Sequence, residues 1–187
     1  MADSAGNDIT AVAVPVTGFL GFAPGNTTLP TPSAGAAEDF VLPVAFKKVG
    51  LLKTDGGFEW TGEATGDPIE FWQDGYSLPS GLANVTIAAG LAQTDELTRS
   101  LVTGKTADVN GYITVDGGGH STEYVFFTEE IFKNGVIRRR VAVGQVQSAK
   151  ENRSTRGEVI GYDCVFKIRR HPSLNNEHYG EWLILPA

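Results

Sequence analysis

The sequence contains a single cysteine and few basic residues, and both shortages exclude classes of protein. A lone Cys164 excludes an intramolecular disulfide framework, and its apolar surroundings favour a small buried core residue. Fifteen Lys and Arg stand against 22 Asp and Glu, which gives a formal net charge of −7. Because binding to nucleic-acid phosphates requires a basic surface, the chain is not a DNA-binding protein of the ordinary kind.

The sequence also lacks the spacings that place metal ligands and catalytic groups together. His120, His171 and His178 have no His-x-x-x-His or Cys-x-x-Cys neighbourhood, so no metal site is predicted. The glycine-rich run at residues 116–119, beside His120 and Ser121, lacks the Lys of a phosphate loop and the setting of a nucleophile elbow. A hairpin turn is the favoured interpretation, and we predict no catalytic residue, no cofactor and no enzyme activity.

Long apolar runs with a basic flank are missing too. The apolar stretch at residues 9–22 contains Pro15 and Gly18, and it is preceded by Asp3 and Asp8 without any Lys or Arg. This is not the pattern of a signal peptide or a membrane span. We therefore expect cytoplasmic synthesis and no membrane partner.

The residues that are abundant predict a mainly β fold. Twenty-three Gly and nine Pro separate short runs of β-branched and aromatic residues, and eight to ten strands are expected. Residues 11–20 and 112–115 are among the predicted strands. Asn134-Gly135 is the strongest local signal, and it predicts a type I′ hairpin turn.

One helix is predicted at residues 95–103, with Thr94 as its N-cap and Gly104 at its end. Residues 23–33 are too rich in Pro, Gly and Thr for a helix or a central strand. The chain length suits one domain. We divide it into an N-terminal strand with an extended arm, residues 1–40, and a single β-domain, residues 41–187.

Three consecutive arginines, Arg138 to Arg140, interrupt the later strands. In a strand the first and third share one face, whereas Arg139 shares the other face with Val141 and Val143. Two interpretations remain open for Arg138 and Arg140: a solvated strand face, or a contact with acids of a neighbouring subunit.

Six short motifs follow one another in a fixed order between residues 12 and 170. They are Thr17-Gly18 with Ala-Pro-Gly-Asn-Thr-Thr-Leu-Pro at 23–30, the Asp-Gly turn within 48–57, Ile-Glu-Phe-Trp-Gln at 69–73, the strand and helix of 84–101, the Gly-to-Arg hairpin of 135–146 and Gly-Tyr-Asp-Cys-Val-Phe at 161–166. Together they resemble the major tail tube proteins of siphophages, especially those of phages that infect Gram-positive hosts.

The resemblance implies a β-sandwich or barrel of two packed sheets with one flanking helix. It also implies hexameric rings that join their sheets into a continuous inner β-barrel and stack into a tube in the virion tail. Viral DNA would pass through without specific binding. The implied partners are other copies of the chain, the tape measure protein, tail chaperones, the tail terminator and the distal tail protein. No extra immunoglobulin-like domain is expected, and the segment after His171 matches nothing in the pattern.

Two groups of residues become candidates under this interpretation. Like charge keeps phosphates from adhering to a channel wall, so acids of the proposed inner strands are expected to face the channel: Glu59, Glu63 and Glu70. Residues 23–33 and 54–68 are predicted to become ordered at contacts between rings. Including the two arginines, the predicted subunit-contact residues are Arg138, Arg140, Pro24, Gly25, Asn26, Thr27, Thr28, Asp55 and Gly56.

The alternative interpretation is a monomeric carbohydrate-binding β-sandwich. Such a module is also Gly-rich and acidic, and Trp60, Trp72 and Trp182 would serve as platforms on which sugars stack. Oligomeric state separates the two hypotheses, because a carbohydrate-binding module stays monomeric whereas a tube subunit polymerises.

Overall fold

The computed structural model describes residues 4–73, 75–116 and 120–186. These residues form ten strands and two α-helices, in the following order: β1 (Pro15–Pro24), α1 (Pro32–Ala36), β2 (Lys47–Lys48), β3 (Glu59–Thr65), β4 (Ile69–Glu70), β5 (Ser77–Leu78), β6 (Leu82–Leu91), α2 (Glu96–Thr103), β7 (Glu123–Phe132), β8 (Ile137–Glu151), β9 (Tyr162–Arg169) and β10 (Tyr179–Ile184). The content of 42% strand confirms the predicted mainly β fold. One large antiparallel sheet and one two-stranded sheet are consistent with a β-sandwich.

The chain divides into two compact units. The first contains residues 1–51, 123–143 and 170–187, and the second contains residues 52–122 and 144–169. Strand β8 begins in the first unit and ends in the second. The predicted division at residue 40 has no direct test here and stays a prediction.

The first unit is built on strands in the order β2-β1-β7-β8, with β10 also paired to β8. Its core surrounds Phe127, which is fully buried. The ring centroid of Phe127 lies 5.4 Å from that of Phe40, 6.1 Å from Phe19 and 6.3 Å from both Phe46 and Trp182. Aromatic side chains bury large areas, so this cluster supplies much of the unit's stability.

The second unit orders its strands as β8-β9-β6-β3, and β4 pairs with β5 in a separate two-stranded sheet. Alternate residues of β6 and β9 are buried and form the apolar side of the sheet: Val85, Ile87, Ala89, Cys164, Phe166 and Ile168. The period of two is that of a sheet with one buried face.

Helix α2 confirms the predicted helix and corrects its N-cap. Asp95, not Thr94, caps the helix, because its Oδ1 accepts a hydrogen bond from the backbone N–H of Thr98 at 2.8 Å. Gly104 ends the helix with a φ of 69°, the left-handed conformation that glycine adopts without strain. Thr98 and Leu101 form its buried side.

The hairpin between β7 and β8 is confirmed, but its turn type was predicted wrongly. Gly135 has a φ of 82°, whereas Asn134 is not among the residues with positive φ, so this is not a type I′ turn. The N–H of Gly135 bonds to Phe132 O, and the N–H of Phe132 bonds to Val136 O. The loop therefore has three residues and ends in a glycine bulge, the next commonest hairpin geometry.

Three other local predictions differ from the structure. The first strand runs from Pro15 to Pro24 because it pairs with β7 along almost its whole length. Residues 32–36 form a short helix, since Thr31 caps it and Pro32 suits the first helical position. Residues 112–115 are not a strand; Asp108 accepts hydrogen bonds from nearby backbone N–H groups and holds a turn instead.

Candidate functional site

Strand β3 lies at an exposed edge in the second unit. In the described part of the chain its only strand partner is β6, and the strand order ends there. The register runs without a break from Glu59 opposite Ala88 to Thr65 opposite Leu82. The seven residues include no Lys, Arg or Pro. Bulges, proline and charged side chains, above all lysine, are the features by which proteins usually keep an edge strand from pairing with another chain. Of these, β3 has only the charges of Glu59 and Glu63.

One face of the β3-β6-β9 sheet is polar, and we call it the polar face. It carries the polar residues Glu59, Thr61, Glu63, Asn84, Thr86, Asp163, Lys167 and Arg169, with the apolar Leu82, Ala88 and Val165 among them. Thr61 lies opposite Thr86, which lies opposite Lys167 on the next strand, and Glu63 lies opposite Asn84. Directly opposite residues of an antiparallel sheet point to the same side, so two of the predicted channel acids share this face.

The third predicted channel acid lies elsewhere. Glu70 is exposed on β4, in the separate two-stranded sheet, so it is not part of the polar face. The polar face also carries Lys167, which the sequence analysis did not include among the candidates. Its charge is therefore mixed, and the assignment of Glu59, Glu63 and Glu70 to a channel stays a prediction.

The β4–β5 hairpin, residues 69–78, exposes an unusual share of large apolar side chains. Ile69 pairs with Leu78, and the N–H of Phe71 bonds to Tyr76 O. Trp72 is 99% exposed at its tip. All the large apolar side chains of the hairpin are exposed: Ile69, Phe71, Trp72, Tyr76 and Leu78. An exposed cluster of this kind marks an interaction surface more often than isolated surface residues do.

Arg138 and Arg140 both have carboxylate partners within the chain. Arg138 donates two hydrogen bonds to Glu130, at 2.9 and 3.0 Å, in the fork geometry that suits a guanidinium and a carboxylate. Arg140 pairs with Glu181 on β10. The carboxylates that the sequence analysis sought on a neighbouring subunit are thus supplied by this chain, and a further contact between subunits stays a prediction.

Arg139, the middle arginine, is buried and holds α1 to the sheet, a role that no pattern in the sequence indicated. Arg139 is 2% exposed and pairs with Glu129 at 2.7 Å. Its Nη1 donates to the carbonyls of Gly35 at 2.9 Å and Ala37 at 2.5 Å. Trp182 also attaches the segment of α1 to the sheet, since its indole N–H donates to Pro32 O at 2.8 Å. These bonds anchor α1 and the residues after it to the sheet of the first unit.

The predicted contact segment at residues 24–28 forms a turn and one wall of a cleft. The N–H of Gly25 bonds to Glu123 O, and that of Thr27 bonds to Pro24 O. A Cβ on Gly25 would lie 2.7 Å from that of Glu123, so only glycine fits. The cleft encloses about 390 Å³, and residues 25–32, His171 and Ser173 line it. Whether Pro24, Gly25, Asn26, Thr27 and Thr28 contact another subunit stays a prediction.

The turn at Asp55-Gly56 packs against the sheet of its own unit. Gly56 and Gly90 lie back to back, because the N–H of Gly90 bonds to Gly56 O at 2.8 Å and a Cβ on Gly56 would lie 2.7 Å from the Cα of Gly90. Gly56 is therefore required by packing within the chain, whereas Asp55 is exposed. Of these two predicted contact residues, only Asp55 is exposed enough to contact another subunit.

A lysine, an asparagine and an aspartate meet beside this turn. The Nζ of Lys53 lies 2.5 Å from Oδ1 of Asn152 and 2.7 Å from Oδ1 of Asp163. The hydrogen bonds from Lys53 and Asn152 hold the pKa of Asp163 below its usual value. No sequence pattern predicted this group, because Lys53 lies 99 positions before Asn152 and 110 positions before Asp163.

The histidines and the cysteine have structural surroundings. The Nδ1 of His120 accepts from Thr122 N–H, so its Nε2 carries the hydrogen that bonds to Leu101 O at 3.1 Å, next to the end of α2. His171 caps the 3₁₀ turn at Pro172–Leu174. Burial raises the pKa of Cys164 to about 12, which confirms a buried thiol of low reactivity.

No group of three potential metal ligands occurs among the described residues. The glycine run predicted as a turn falls at residues 117–119, outside the described part of the chain.

The tryptophans do not form a set of exposed platforms. Trp182 packs on Phe127 and closely covers Gly35, so its interpretation as a sugar-binding surface is wrong. Trp60 is half-buried on β3. Trp72 alone of the three is fully exposed.

Neither helix in the described residues is long and apolar enough to span a bilayer. No curated protein sequence matches the chain. Residues 4–182 match a protein-family model described as phage tail tube protein. The match covers nearly the entire chain, and the chain therefore belongs to the phage tail tube protein family.

Proposed function

We propose that six copies of the chain close into a ring by pairing β3 with an edge strand of the neighbouring copy, and that rings stack into the tube through which viral DNA is ejected. The observation that carries this proposal is the edge strand itself. Seven residues in unbroken register, without Lys, Arg or Pro, favour addition of another strand. A closed ring pairs every such edge, so that no edge is left in solution.

Family membership itself makes the chain a structural subunit of the tail tube, located in the virion tail, and points to a non-catalytic role. The finer features belong to the proposal: six-fold symmetry, a long non-contractile tail and synthesis in the host cytoplasm. So do contacts with the tape measure protein, tail chaperones, the tail terminator and the distal tail protein.

The polar face supports a channel wall that DNA passes without being held. Glu59 and Glu63 repel phosphates, whereas Lys167 and Arg169 on the same face attract them and offset that charge. Since DNA affinity grows with the number of phosphates that cations neutralise, a face of mixed charge binds DNA weakly. Glu70 contributes to the channel only if the β4–β5 hairpin also reaches it.

Proline substitution on β3 tests ring closure. The N–H groups of adjacent strand residues point to opposite edges, so of Thr61→Pro and Gly62→Pro one removes a bond to β6 and the other removes an N–H from the free edge. We expect one variant to unfold more easily. The other should keep the stability of the free subunit within about 0.5 kcal/mol but form no tubes. Urea unfolding and negative-stain microscopy measure the two effects, and normal tubes from both variants would refute edge pairing through β3.

The β4–β5 hairpin supplies a second contact under the same proposal, between a ring and the next one. Its exposed side chains, including Trp72, can bury apolar area only against another molecule. Aromatic side chains of this kind often dominate an interface, and loss of one costs about 2 kcal/mol or more.

Replacing Phe71 and Trp72 together with serine should therefore leave the subunit folded and stop tubes from elongating. The matched control is Val109→Ser, which removes a fully exposed apolar side chain outside the hairpin and should not change assembly. Sedimentation of assembled material reports both results. Tubes of ordinary length from the double variant would show that the hairpin has no role in stacking.

A further inference from the structure

Lys53, Asn152 and Asp163 bring an amine, a carboxamide and a carboxylate into mutual contact. The Nζ of Lys53 lies 2.5 Å from Oδ1 of Asn152 and 2.7 Å from Oδ1 of Asp163. The third side of the triangle is the Nδ2 of Asn152, which donates to Oδ2 of Asp163 at 2.8 Å.

Backbone pairing holds all three residues in place. The N–H of Lys53 bonds to Gly90 O at 2.9 Å, and Gly90 lies opposite Asp163 in the β6–β9 register. The N–H of Asn152 bonds to Gly161 O at 2.9 Å. These bonds fix the relative positions of the backbones from which the three side chains extend.

Gly90 also leaves room for the lysine. A Cβ at this position would come within 3.3 Å of the Cδ of Lys53, so the absent side chain lets the lysine cross the strand towards Asp163. The Lys53 side chain is only 15% exposed, whereas that of Asp163 is 52% exposed. The amine is thus confined, and the carboxylate side of the group opens to water.

We propose that Lys53 and Asn152 form an intramolecular isopeptide bond, with Asp163 as the group that transfers the proton. The structure holds the reactants in contact, and such proximity removes much of the entropic barrier to a reaction between two amide-forming groups. The proposal concerns a covalent modification within one subunit and does not depend on how rings close.

The reaction needs no oxidant and no co-reactant. Because the pKa of Asp163 is held low, proton transfer to it from the Lys53 ammonium is unfavourable, and only a small fraction of subunits holds the free amine at any time. In that fraction Asp163 carries the proton, and Nζ attacks Cγ of Asn152 to form the new C–N bond. The Cγ–Nδ2 bond then breaks as Asp163 gives this proton to the departing nitrogen, and Asp163 relays a second proton from the attacking nitrogen to the released ammonia. Of the three protons on Nζ, one stays on the new amide and two leave with Nδ2 as ammonium, so that Asp163 ends as the carboxylate.

The bond would close a covalent loop between the residue that follows β8 and the segment before β3. A cross-link over a loop of about 100 residues removes much conformational freedom from the unfolded chain. We therefore expect the cross-linked subunit to melt at a higher temperature than a variant that cannot react. In a tube, the same bond would keep residues 53 and 152 together under mechanical load.

Intact-mass spectrometry of the purified full chain tests the proposal. After overnight incubation at neutral pH, the chain should weigh about 17 Da less than its sequence, the mass of one ammonia. Lys53→Arg keeps a cation beside Asp163 but cannot form the amide, so it should show the full mass. Asn152→Ala and Asp163→Ala should also show the full mass, the second because the proton carrier is gone.

Trypsin locates the bond. The tripeptide of residues 151–153 should remain attached to the peptide of residues 49–99, in which cleavage after Lys53 is blocked. A wild-type chain of full mass would overturn the proposal. A loss of about 18 Da, with Lys53 joined to Asp163, would overturn the assignment of Asn152 as the acyl partner.

Discussion

Replacing Arg139 with methionine should lower the free energy of unfolding by about 3–5 kcal/mol, because loss of one member of a buried ion pair leaves the other uncompensated. Glu129 would keep its charge in a site that is only 16% exposed. The carbonyls of Gly35 and Ala37 would lose their donor as well. Urea unfolding measures the loss, and α1 should become more accessible to hydrogen exchange.

The matched control is Arg140→Met, one residue along the same strand. Its partner Glu181 has a side chain that is 38% exposed, so water can solvate the carboxylate when the arginine is removed. The expected loss is about 1 kcal/mol or less. Equal losses from the two variants would mean that burial of Arg139 does not determine its contribution. Adding Glu129→Leu to Arg139→Met should recover part of the free energy of unfolding, because it removes the carboxylate that Arg139→Met leaves without its cation.

Phe127→Ala is expected to have a comparably large effect, a loss of about 3–5 kcal/mol. The ring is fully buried and has four aromatic neighbours, so truncation leaves a cavity that these stiff side chains cannot readily fill. Urea unfolding again measures the change.

Phe71→Ala provides the comparison, since this phenylalanine is 46% exposed in the β4–β5 hairpin. Its free energy of unfolding should change by no more than about 0.5 kcal/mol. The two substitutions should therefore have different effects: loss of the Phe127 ring lowers the free energy of unfolding, whereas loss of the Phe71 ring impairs assembly. Strong destabilisation by Phe71→Ala would place the hairpin in the core of the free subunit and would remove the reason to consider it a contact surface.

The parts of the fold that local chemistry determines could be read from the sequence. Gly104 and the acids at the start of α2 predicted a helix with nearly correct ends, and Gly135 predicted the β7–β8 hairpin. Cys164 was recognisable as a core residue from its strand. Each of these signals lies within a few residues of the feature that it specifies.

Features that depend on residues distant in sequence could not be predicted. Arg139 is buried because Glu129 and carbonyls of α1 and the residue after it surround it, and these carbonyls lie about a hundred positions away.

The Asp95 cap differed from the prediction by one residue, within the usual uncertainty of helix ends.

The candidate site was predicted only in part. The three acids were named as candidates for inner strands; the structure places Glu59 and Glu63 on one face of β3, whereas Glu70 belongs to another sheet. For Arg138 and Arg140 a solvated face and a contact between subunits were both open, and the structure gives both arginines carboxylate partners within the chain. The exposure of Trp72 had one available signal, namely that turn-forming residues flank a short apolar run on both sides.

Under the proposed edge pairing, the alternation along β3 would also limit the registers in which a neighbouring strand can add to it. Glu59, Thr61 and Glu63 alternate with Trp60, Gly62 and Ala64, so a partner strand that slips by one residue would set its own polar side chains against the opposite face. A slip by two residues keeps each side chain on its proper face and changes only the alignment of the strand ends. Errors in strand addition should therefore occur in even steps, and odd steps should be rejected before a ring can close.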